Sequence, residues 1–523
     1  MKPRTDMAAS AVLQPLLDGL EPLAPPDIVG DGPELSASSS QKNTGAYYTP
    51  EAVVSTLVRW VVRANTDRLL DPSCGDGRFV ACHPNSVGIE RDVRAVATAK
   101  RRAPLARIYR SDFFAWASDT DERFECAAGN PPFIRYQTFN GPIRARALRL
   151  CRSLGAPFSG LTSSWAPFLV ATASLLRRGG RLAFVVPAEI GHAPYAAPLL
   201  EFLASHFDAV QIIAIRDKLF PKLSEDCWLL YADGFGGATS QVRFTFVDQF
   251  IPSPRPPGNG IRVALNEWRS GWNCRLRPFL LSSDVRSLYQ HALGHPGSKR
   301  LGMMASVGIG YVSGANDFFH LRPSEAARWQ IPADFLHPSV RKSRMLPPRR
   351  LTRKSIDRWH RLDEPMLLLR IGKNDIVPQS VQRYLDTEAG RQARTTYKCR
   401  TRHPWYSVPD VRTPDFFLTY MSGRTPHLVR NSSAASCTNT VHAVRVHEKK
   451  LVRWLTRTWE TSFVRLSCEI EGHPLGGGML KLEPREAARV LLPDASLLPS
   501  LSGSEIDESL ATLRTWRHYA TGK

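Results

Sequence analysis

The sequence lacks the features that mark metal sites, disulfide frameworks and membrane spans. Its nine cysteines are dispersed, with no Cys-x-x-Cys pair and no Cys/His set at zinc spacing, so we expect reduced thiols and no metal. No apolar run approaches the ~20 residues that span a bilayer. The N-terminus shows no charged stretch followed by an apolar core and a cleavage site. These absences predict a cytoplasmic protein without a membrane partner.

The first half of the chain also lacks the excess of positive charge that characterises the second. Residues 1–250 carry 27 Lys and Arg against 25 Asp and Glu, whereas residues 251–523 carry 42 against 23. Within residues 341–402 the ratio is 17 to 6, with three aromatic residues among the cations. Such a pattern is typical of a surface that binds the phosphate backbone and an unstacked base of a nucleic acid, although any single arginine can equally be an ordinary solvent-exposed residue. The asymmetry predicts a near-neutral module joined to one that binds a polyanion.

Composition and periodicity divide the chain into five segments. Residues 1–40 predict a flexible tail, and residues 251–260 form a linker rich in Pro and Gly. Between them, residues 41–250 alternate short apolar runs with helical patterns, which is typical of a parallel α/β sheet. Residues 261–495 predict a second, mixed α/β domain, and residues 496–523 predict a peripheral helix or tail.

The α/β segment contains eight short apolar runs that are candidate strands. A helix is predicted over residues 168–176, with Gly179 and Gly180 as its C-terminal cap before the next strand. The candidate strands are residues 69–70, 86–90, 107–109, 125–128, 181–186, 210–215, 227–231 and 242–247.

The most informative motif is Asn-Pro-Pro-Phe at residues 130–133, directly after the candidate strand 125–128. The Asn130 side chain and the Pro131 carbonyl can both accept hydrogen bonds from an exocyclic amino group, because the prolines cannot fold that carbonyl into a helix. The Phe133 ring can stack on the planar group that carries the amine. The motif predicts a site that methylates a planar amino or amide nitrogen, although an ordinary Pro-rich turn is the alternative.

A carboxylate follows each of three successive candidate strands. Asp71 begins the turn Asp-Pro-Ser-Cys-Gly-Asp-Gly-Arg-Phe at residues 71–79, whose glycines let the backbone approach a ligand. The turn is not Gly-x-Gly-x-x-Gly and no Lys follows the glycines, which argues against a dinucleotide or ATP. Glu90 can accept both hydroxyls of a ribose, and Asp112 with Phe113 offers a carboxylate beside a stacking ring. The series predicts a nucleoside cofactor with a positively charged amino-acid end, although each acid alone fits a solvated loop.

Taken in order, these motifs resemble the S-adenosylmethionine-dependent DNA adenine-N6 methyltransferases of restriction–modification systems, in the gamma subgroup typified by the Taq enzyme. The resemblance covers residues 41–235, and residues 44–50, Thr-Gly-Ala-Tyr-Tyr-Thr-Pro, resemble the family's N-terminal motif, which closes over the methionine end of the cofactor. It implies a Rossmann-like methyltransferase sheet with helices on both faces and S-adenosyl-L-methionine as cofactor. The implied cofactor contacts are Tyr48, Thr49, Asp71, Ser73, Gly75, Glu90, Asp112, Phe113 and Phe168.

The resemblance also implies a substrate, the N6 amino group of an adenine flipped out of double-stranded DNA. Asn130 and the Pro131 carbonyl would accept the amino hydrogens, while Phe133 and Phe220 would stack on the base. Phe133 stands where Tyr is more frequent, which leaves stacking intact. The second half is similar, less specifically, to the family's target-recognition domain. The similar segments are residues 307–317, 403–406, 439–442 and 476–482.

The residues alone leave other functions open. The same Asn-Pro-Pro-aromatic site serves methyltransferases that act on RNA bases or on a protein glutamine, although a large basic second domain speaks against the protein substrate. A methyltransferase-like DNA-binding subunit that no longer catalyses is a further alternative, against which the intact Asp71, Glu90, Asp112 and Asn130 count. The sequence shows no nuclease motif that spacing supports, so we expect a separate restriction endonuclease as partner.

Overall fold

The first half of the chain forms one large sheet in the computed structural model, which describes residues 49–220, 225–475 and 477–518. The predicted tail at residues 1–40 and the predicted cofactor residue Tyr48 lie outside the described residues. All eight candidate strands are present, and a ninth follows them. The strands are β1 (Leu69–Asp71), β2 (Ser86–Glu90), β3 (Arg107–Arg110), β4 (Phe124–Gly129), β5 (Leu176–Pro187), β6 (Phe207–Ile215), β7 (Cys227–Phe235), β8 (Gln241–Val247) and β9 (Ile261–Ala264).

The sheet is mixed, whereas the sequence pattern predicts a parallel one. The strand order is β3-β2-β1-β4-β5-β7-β6-β8-β9, and the first five strands in this order run parallel. Strand β7 lies antiparallel between β5 and β6, and β9 pairs antiparallel with β8. Residues 261–264, predicted to open the second domain, therefore extend the first sheet.

Helices cover both faces of this sheet. The helix predicted over residues 168–176 lies three residues earlier, and the glycine pair does not cap it. Gly179 instead has φ of +76° inside β5, because β5 already pairs with β4 at Leu176 and the register between them then shifts. The helices are α1 (Glu51–Val61), α2 (Arg78–Ala81), α3 (Val93–Arg102), α4 (Phe113–Asp119), α5 (Gly141–Ser153), α6 (Trp165–Ala173) and α7 (Ala196–His206).

Three buried apolar clusters hold these helices to the sheet, and the smallest packs α2 and α3 on β3 through Val80, Ala99 and Ile108. Helix α1 repeats apolar residues at helical spacing, and Val54, Leu57 and Val61 pack on Leu229 and other side chains of one sheet face. On the other face, α4 to α7 bury a larger cluster that includes Trp165. The fold is therefore the predicted α/β sheet between two helical layers.

The second half is mixed α/β, as predicted, with several small sheets. The strands are β10 (Lys299–Arg300), β11 (Ala305–Ile309), β12 (His320–Leu321), β13 (Leu336–Val340), β14 (Arg350–Thr352), β15 (Leu367–Leu369), β16 (Phe416–Leu418), β17 (Met421–Ser422), β18 (Leu428–Ser432), β19 (Ser436–Cys437), β20 (His442–Val446), β21 (His473–Leu475), β22 (Met479–Lys481) and β23 (Leu491–Leu492). The largest sheet of this half has the order β11-β20-β16-β18-β14, and a four-stranded one has the order β12-β15-β13-β19.

The helices of this half are mostly short. The last, at Ser504–Thr515, lies where the sequence predicts a C-terminal helix or tail, and it packs on the helix at Ser462–Glu471. None of the described helices is both long and apolar enough to cross a membrane. The helices are α8 (Ser283–Gly294), α9 (Leu301–Met304), α10 (Asn316–Phe319), α11 (Pro323–Arg328), α12 (Arg353–Arg361), α13 (Gln379–Leu385), α14 (Glu388–Thr395), α15 (Tyr397–Arg400), α16 (Leu451–Thr458), α17 (Ser462–Glu471), α18 (Pro484–Ala487) and α19 (Ser504–Thr515).

Candidate active site

The sequence-predicted site residues meet at one edge of the large sheet. Strands β1 to β4 are parallel, so their carboxyl ends lie side by side. Asp71 ends β1, Glu90 ends β2, Asp112 follows β3, and residues 130–133 follow β4. This is the edge at which open α/β sheets bind their ligands.

Asp71 is a buried carboxylate with an unusual titration. It is 1% exposed, and its Oδ1 accepts a hydrogen bond of 3.1 Å from the Ser73 amide. Burial, together with the nearby charges of Glu90 and Asp76, raises the pKa of Asp71 to about 8. A Cβ at Gly129 would lie 2.8 Å from Asp71 Oδ1, so a larger residue at the end of β4 would displace this carboxylate. The site therefore holds an acid that a bound cation would help to ionise.

The glycine-rich turn after β1 packs closely against α3 and is hydrogen-bonded to β2. Gly77 has φ of +88°, and a Cβ there would lie 2.8 Å from the Ala99 Cα of α3, so the position requires glycine. The Cys74 amide donates to the Ile89 carbonyl at 2.9 Å, which fixes the turn to β2. Helix α2 then runs for one turn only, in keeping with the short segment before Glu90.

The Glu90 carboxylate is held by three backbone amides. Its Oε2 accepts from Gly75 at 3.1 Å, and its Oε1 accepts from Arg91 and Asp92, each at 2.7 Å. These bonds join the end of β2 to the glycine-rich turn and fix the direction of the carboxylate. Since a carboxylate has about four acceptor positions, Oε2 keeps capacity for a hydroxyl group.

Asp112 and two aromatic rings form the next part of the edge. Asp112 caps α4, with Oδ1 accepting from the Ala115 amide at 3.0 Å, so Oδ2 is the oxygen with more capacity for a ligand. The Phe113 and Phe168 rings stack with centroids 5.1 Å apart and an interplanar angle of 16°. Residues that lie 55 positions apart in the sequence therefore meet beside Asp112.

Asn130 is tied to both predicted cofactor motifs. Its Nδ2 donates to Thr49 Oγ1 at 3.1 Å, and Ser73 Oγ donates to its main-chain carbonyl at 3.4 Å. The bond to Thr49 fixes which way the side-chain amide points. Within the described part of the chain, no hydrogen-bond donor reaches the adjacent Pro131 carbonyl.

The two predicted stacking rings belong to the same apolar cluster. Phe220 is a buried member, and the half-buried Phe133 packs against it. Just beyond each ring, Arg135 and Glu225 form an ion pair with an N–O distance of 2.9 Å. This ion pair joins the chain just after the turn at residues 130–133 to the chain just after Phe220, about 90 residues later in the sequence.

Sequence reasoning missed Ser164, which contacts the turn directly. Its hydroxyl donates to the Pro132 carbonyl, and its oxygen accepts from the Ile134 amide at 3.0 Å. Tyr195 donates its one hydroxyl hydrogen to Glu189, and the adjacent Ser163 hydroxyl can donate to the Tyr195 oxygen, 3.1 Å away. The available signal was a Thr-Ser-Ser run before an apolar helix, a pattern that ordinarily means only a helix start.

Comparison with known sequence families identifies both halves of the chain. Residues 33–191 match the family N-6 DNA Methylase. Residues 275–519 match the family of the C-terminal domain of the Type II methyltransferase M.Eco57I. Each half therefore has its own family match, and both matches are to DNA methyltransferases.

Individual relatives extend over most of the chain. The Type II methyltransferase M.XamI of Xanthomonas campestris pv. amaranthicola is 23% identical over 86% of this chain and 85% of its own length. M.AccI of Acinetobacter calcoaceticus is 18% identical over 89% and 88%. Among solved structures, the Type IIL restriction-modification enzyme MmeI, in complex with DNA, has a TM-score of 0.55 at 12% identity, over 92% of this chain and 76% of that one, which supports the fold. The chain belongs to the N6-adenine DNA methyltransferases of type II restriction–modification systems.

Proposed function

We propose that residues 130–133 catalyse methyl transfer from S-adenosyl-L-methionine to N6 of an adenine flipped out of double-stranded DNA. The observation that carries this proposal is the position of Asn130, bonded to Thr49 on one side and to Ser73 on the other. The bond from Ser73 joins the acceptor turn to the glycine-rich turn that begins at Asp71. Cytoplasmic location and a separate restriction endonuclease belong to the same proposal.

The residues at the sheet edge fit S-adenosyl-L-methionine, which when bound supplies an electrophilic methyl group. Asp71 is a buried acid with a raised pKa, so a cationic amino-acid end would stabilise its ionised form. Glu90 would accept ribose hydroxyls, and Asp112 with the stacked Phe113 and Phe168 would hold the adenine ring. Thr49, Ser73 and Gly75 complete the set, and Tyr48 is proposed with them on the family motif alone.

The turn itself would orient the substrate nitrogen. Because Nδ2 of Asn130 points to Thr49, the side-chain oxygen is the atom assigned to one amino hydrogen, and the Pro131 carbonyl to the other. Two acceptors on one amine draw its lone pair out of conjugation and align it for transfer, so no strong general base is needed. Phe133 and Phe220 would stack on the flipped base, each contributing roughly 1–3 kcal/mol against the cost of unstacking.

Helix α12 is the surface that we assign to DNA backbone contact. Thr352 caps it by accepting from the Ser355 amide, and Trp359 is its buried anchor. Its outer face exposes four cations and one acid, Asp357, and in the described residues none of the four cations forms an ion pair. Unpaired cations on a ridge can neutralise phosphates, which supplies affinity without sequence specificity. The four cations are Arg353, Lys354, Arg358 and Arg361.

The proposal is tested by replacing Asn130. We expect Asn130→Ala to abolish methylation of host DNA, because one of the two acceptors is lost, while cofactor binding measured by calorimetry largely survives. Single-molecule sequencing of a host that expresses the wild-type chain should reveal a methyladenine motif that is absent with the variant. Asn65→Ala removes an exposed amide of the same domain and serves as the matched control. Wild-type methylation by Asn130→Ala would refute the assignment. Methylation of host RNA without methylation of host DNA would show that the substrate is RNA.

A further inference from the structure

Ser164 is a fully buried serine whose hydroxyl forms both of its hydrogen bonds with the proposed catalytic turn. Its hydroxyl donates to the Pro132 carbonyl and accepts from the Ile134 amide at 3.0 Å. Its own amide donates to the Ile134 carbonyl at 2.9 Å. The two partners flank Phe133 in the chain, so Ser164 holds the backbone on both sides of the stacking ring.

Ser164 directly precedes α6, yet its hydroxyl does not cap this helix. Serine before a helix ordinarily accepts from an amide of the first turn and so caps it. Ser164 stands at that position, yet it has helical φ and ψ of −61° and −35° and makes no side-chain capping bond. The hydroxyl is directed instead at the turn after β4, about thirty residues earlier in the sequence.

We propose that Ser164 is a positioning residue for methyl transfer: it fixes the peptide groups on either side of Phe133 and thereby the stacking ring and the Pro131 carbonyl. This inference rests on the proposed function of residues 130–133. The prolines fix only φ at their own positions, so the orientation of the Pro132–Phe133 peptide has to come from an outside bond. The Ser164 hydroxyl is that bond.

The test is Ser164→Ala, assayed with unmethylated bacterial genomic DNA and S-adenosyl-L-methionine that carries a labelled methyl group. We expect kcat to fall roughly 10- to 100-fold, as misplacement of a reacting group by about 1 Å can cause. The KM for DNA and the calorimetric Kd for the cofactor should stay near wild type, since neither the basic surface nor the strand-end acids change. Ser164→Thr keeps the hydroxyl and should recover most of the rate.

Thr172→Val is the matched control for losing a buried hydroxyl. Thr172 lies on the same helix, is equally buried, and donates to the Phe168 carbonyl at 2.7 Å, away from the turn. We expect this variant to keep the wild-type kcat. A wild-type kcat for Ser164→Ala would overturn the inference, as would equal losses of kcat and cofactor affinity in Ser164→Ala and Thr172→Val. If the wild-type enzyme leaves DNA unlabelled, or if Asn130→Ala labels it fully, the proposed function itself fails.

Discussion

The two halves of the molecule place their charged groups in opposite ways. In the first half, the acids proposed to bind the cofactor stand at strand ends, and backbone amides hold them there, as with Glu90 and its three donors. In the second half, charge takes two forms. Arg277 and Arg517 are buried around the single carboxylate of Glu469, whereas the cations of α12 are exposed and unpaired among the described residues.

This difference separates charge that builds the fold from charge that remains for a ligand. A buried arginine must have its partner, because an unpaired charge in the interior is costly. An exposed arginine gains little from a partner, since solvent screens the pair. The excess of 42 cations over 23 acids in the second half therefore does not measure DNA affinity directly, because some of the arginines are committed to the core.

The largest effect expected from this comparison follows removal of Glu469. Arg277 Nη2 lies 3.1 Å and Arg517 Nη2 2.8 Å from its oxygens, and all three side chains are at most 4% exposed. Burial lowers the pKa of Arg277, but the guanidinium stays charged. Glu469→Ala leaves these charges without their carboxylate, so we expect a loss of about 3–5 kcal/mol in the free energy of unfolding. Urea unfolding of the full chain measures it.

The control for that variant is an exposed ion pair in the same half. Glu388 and Arg391 pair on the surface of α14 at 2.8 Å, with both side chains about two-thirds exposed. Glu388→Gln should leave the urea midpoint unchanged, because solvent screens this pair. Equal losses for Glu469→Ala and Glu388→Gln would contradict the separation of buried from surface charge.

A smaller effect, on DNA binding, is expected from the double variant Lys354→Gln/Arg358→Gln. These cations lie four residues apart on the exposed face of α12 and so face the same way. If both neutralise phosphates, DNA affinity at low salt should fall roughly 100-fold. The slope of log K against log salt concentration should become shallower by about 2. Titration of a duplex at several salt concentrations measures both.

Two lysines of the same half give the matched control for the helix. Lys449 already pairs with Asp415, and Lys450 pairs with Glu448 at 2.6 Å. Lys449→Gln/Lys450→Gln removes the same formal charge but should change the salt slope little. The same slope change in both double variants would show that DNA affinity depends on the net charge of this half and not on contacts made by α12.

The site was predictable from sequence to the extent that it is local. Asp71, Glu90, Asp112 and residues 130–133 each follow a short apolar run, and parallel strands bring such positions to one edge without further information. The mixed direction of the sheet was not predictable in this way. An apolar strand such as β7 has the same pattern whether it runs parallel or antiparallel to its neighbours, and only the tertiary connection decides between them.

The remaining differences between prediction and structure also come from contacts between residues far apart in the sequence. Gly179 fits a helix cap by local rules, but the pairing of Leu176 with Phe124 draws it into β5. Ser164 fits a helix start by local rules, but its hydroxyl bonds a turn about thirty residues away. In each case the local signal was sound, and a contact from elsewhere in the fold determined the outcome.

The smallest expected effect concerns Asp71, one of the strand-end acids, and the dependence of cofactor affinity on pH. Because the pKa of Asp71 is about 8 in the free protein, this carboxyl is protonated below that pH and must lose its proton to pair with a cation. S-adenosyl-L-methionine affinity should therefore rise roughly threefold between pH 7 and pH 8 and fall again at higher pH, where the cofactor's own α-amino group loses its proton; binding at pH 7 should release a proton. Asp71→Asn should bind more weakly and without the rise below pH 8, whereas the exposed control Asp121→Asn should keep it. Calorimetry in buffers of different ionisation enthalpy measures both quantities. A wild-type affinity that is flat across this range would contradict the pairing of Asp71 with the cofactor, and with it the contrast between a buried acid that a ligand ionises and the exposed cations of α12.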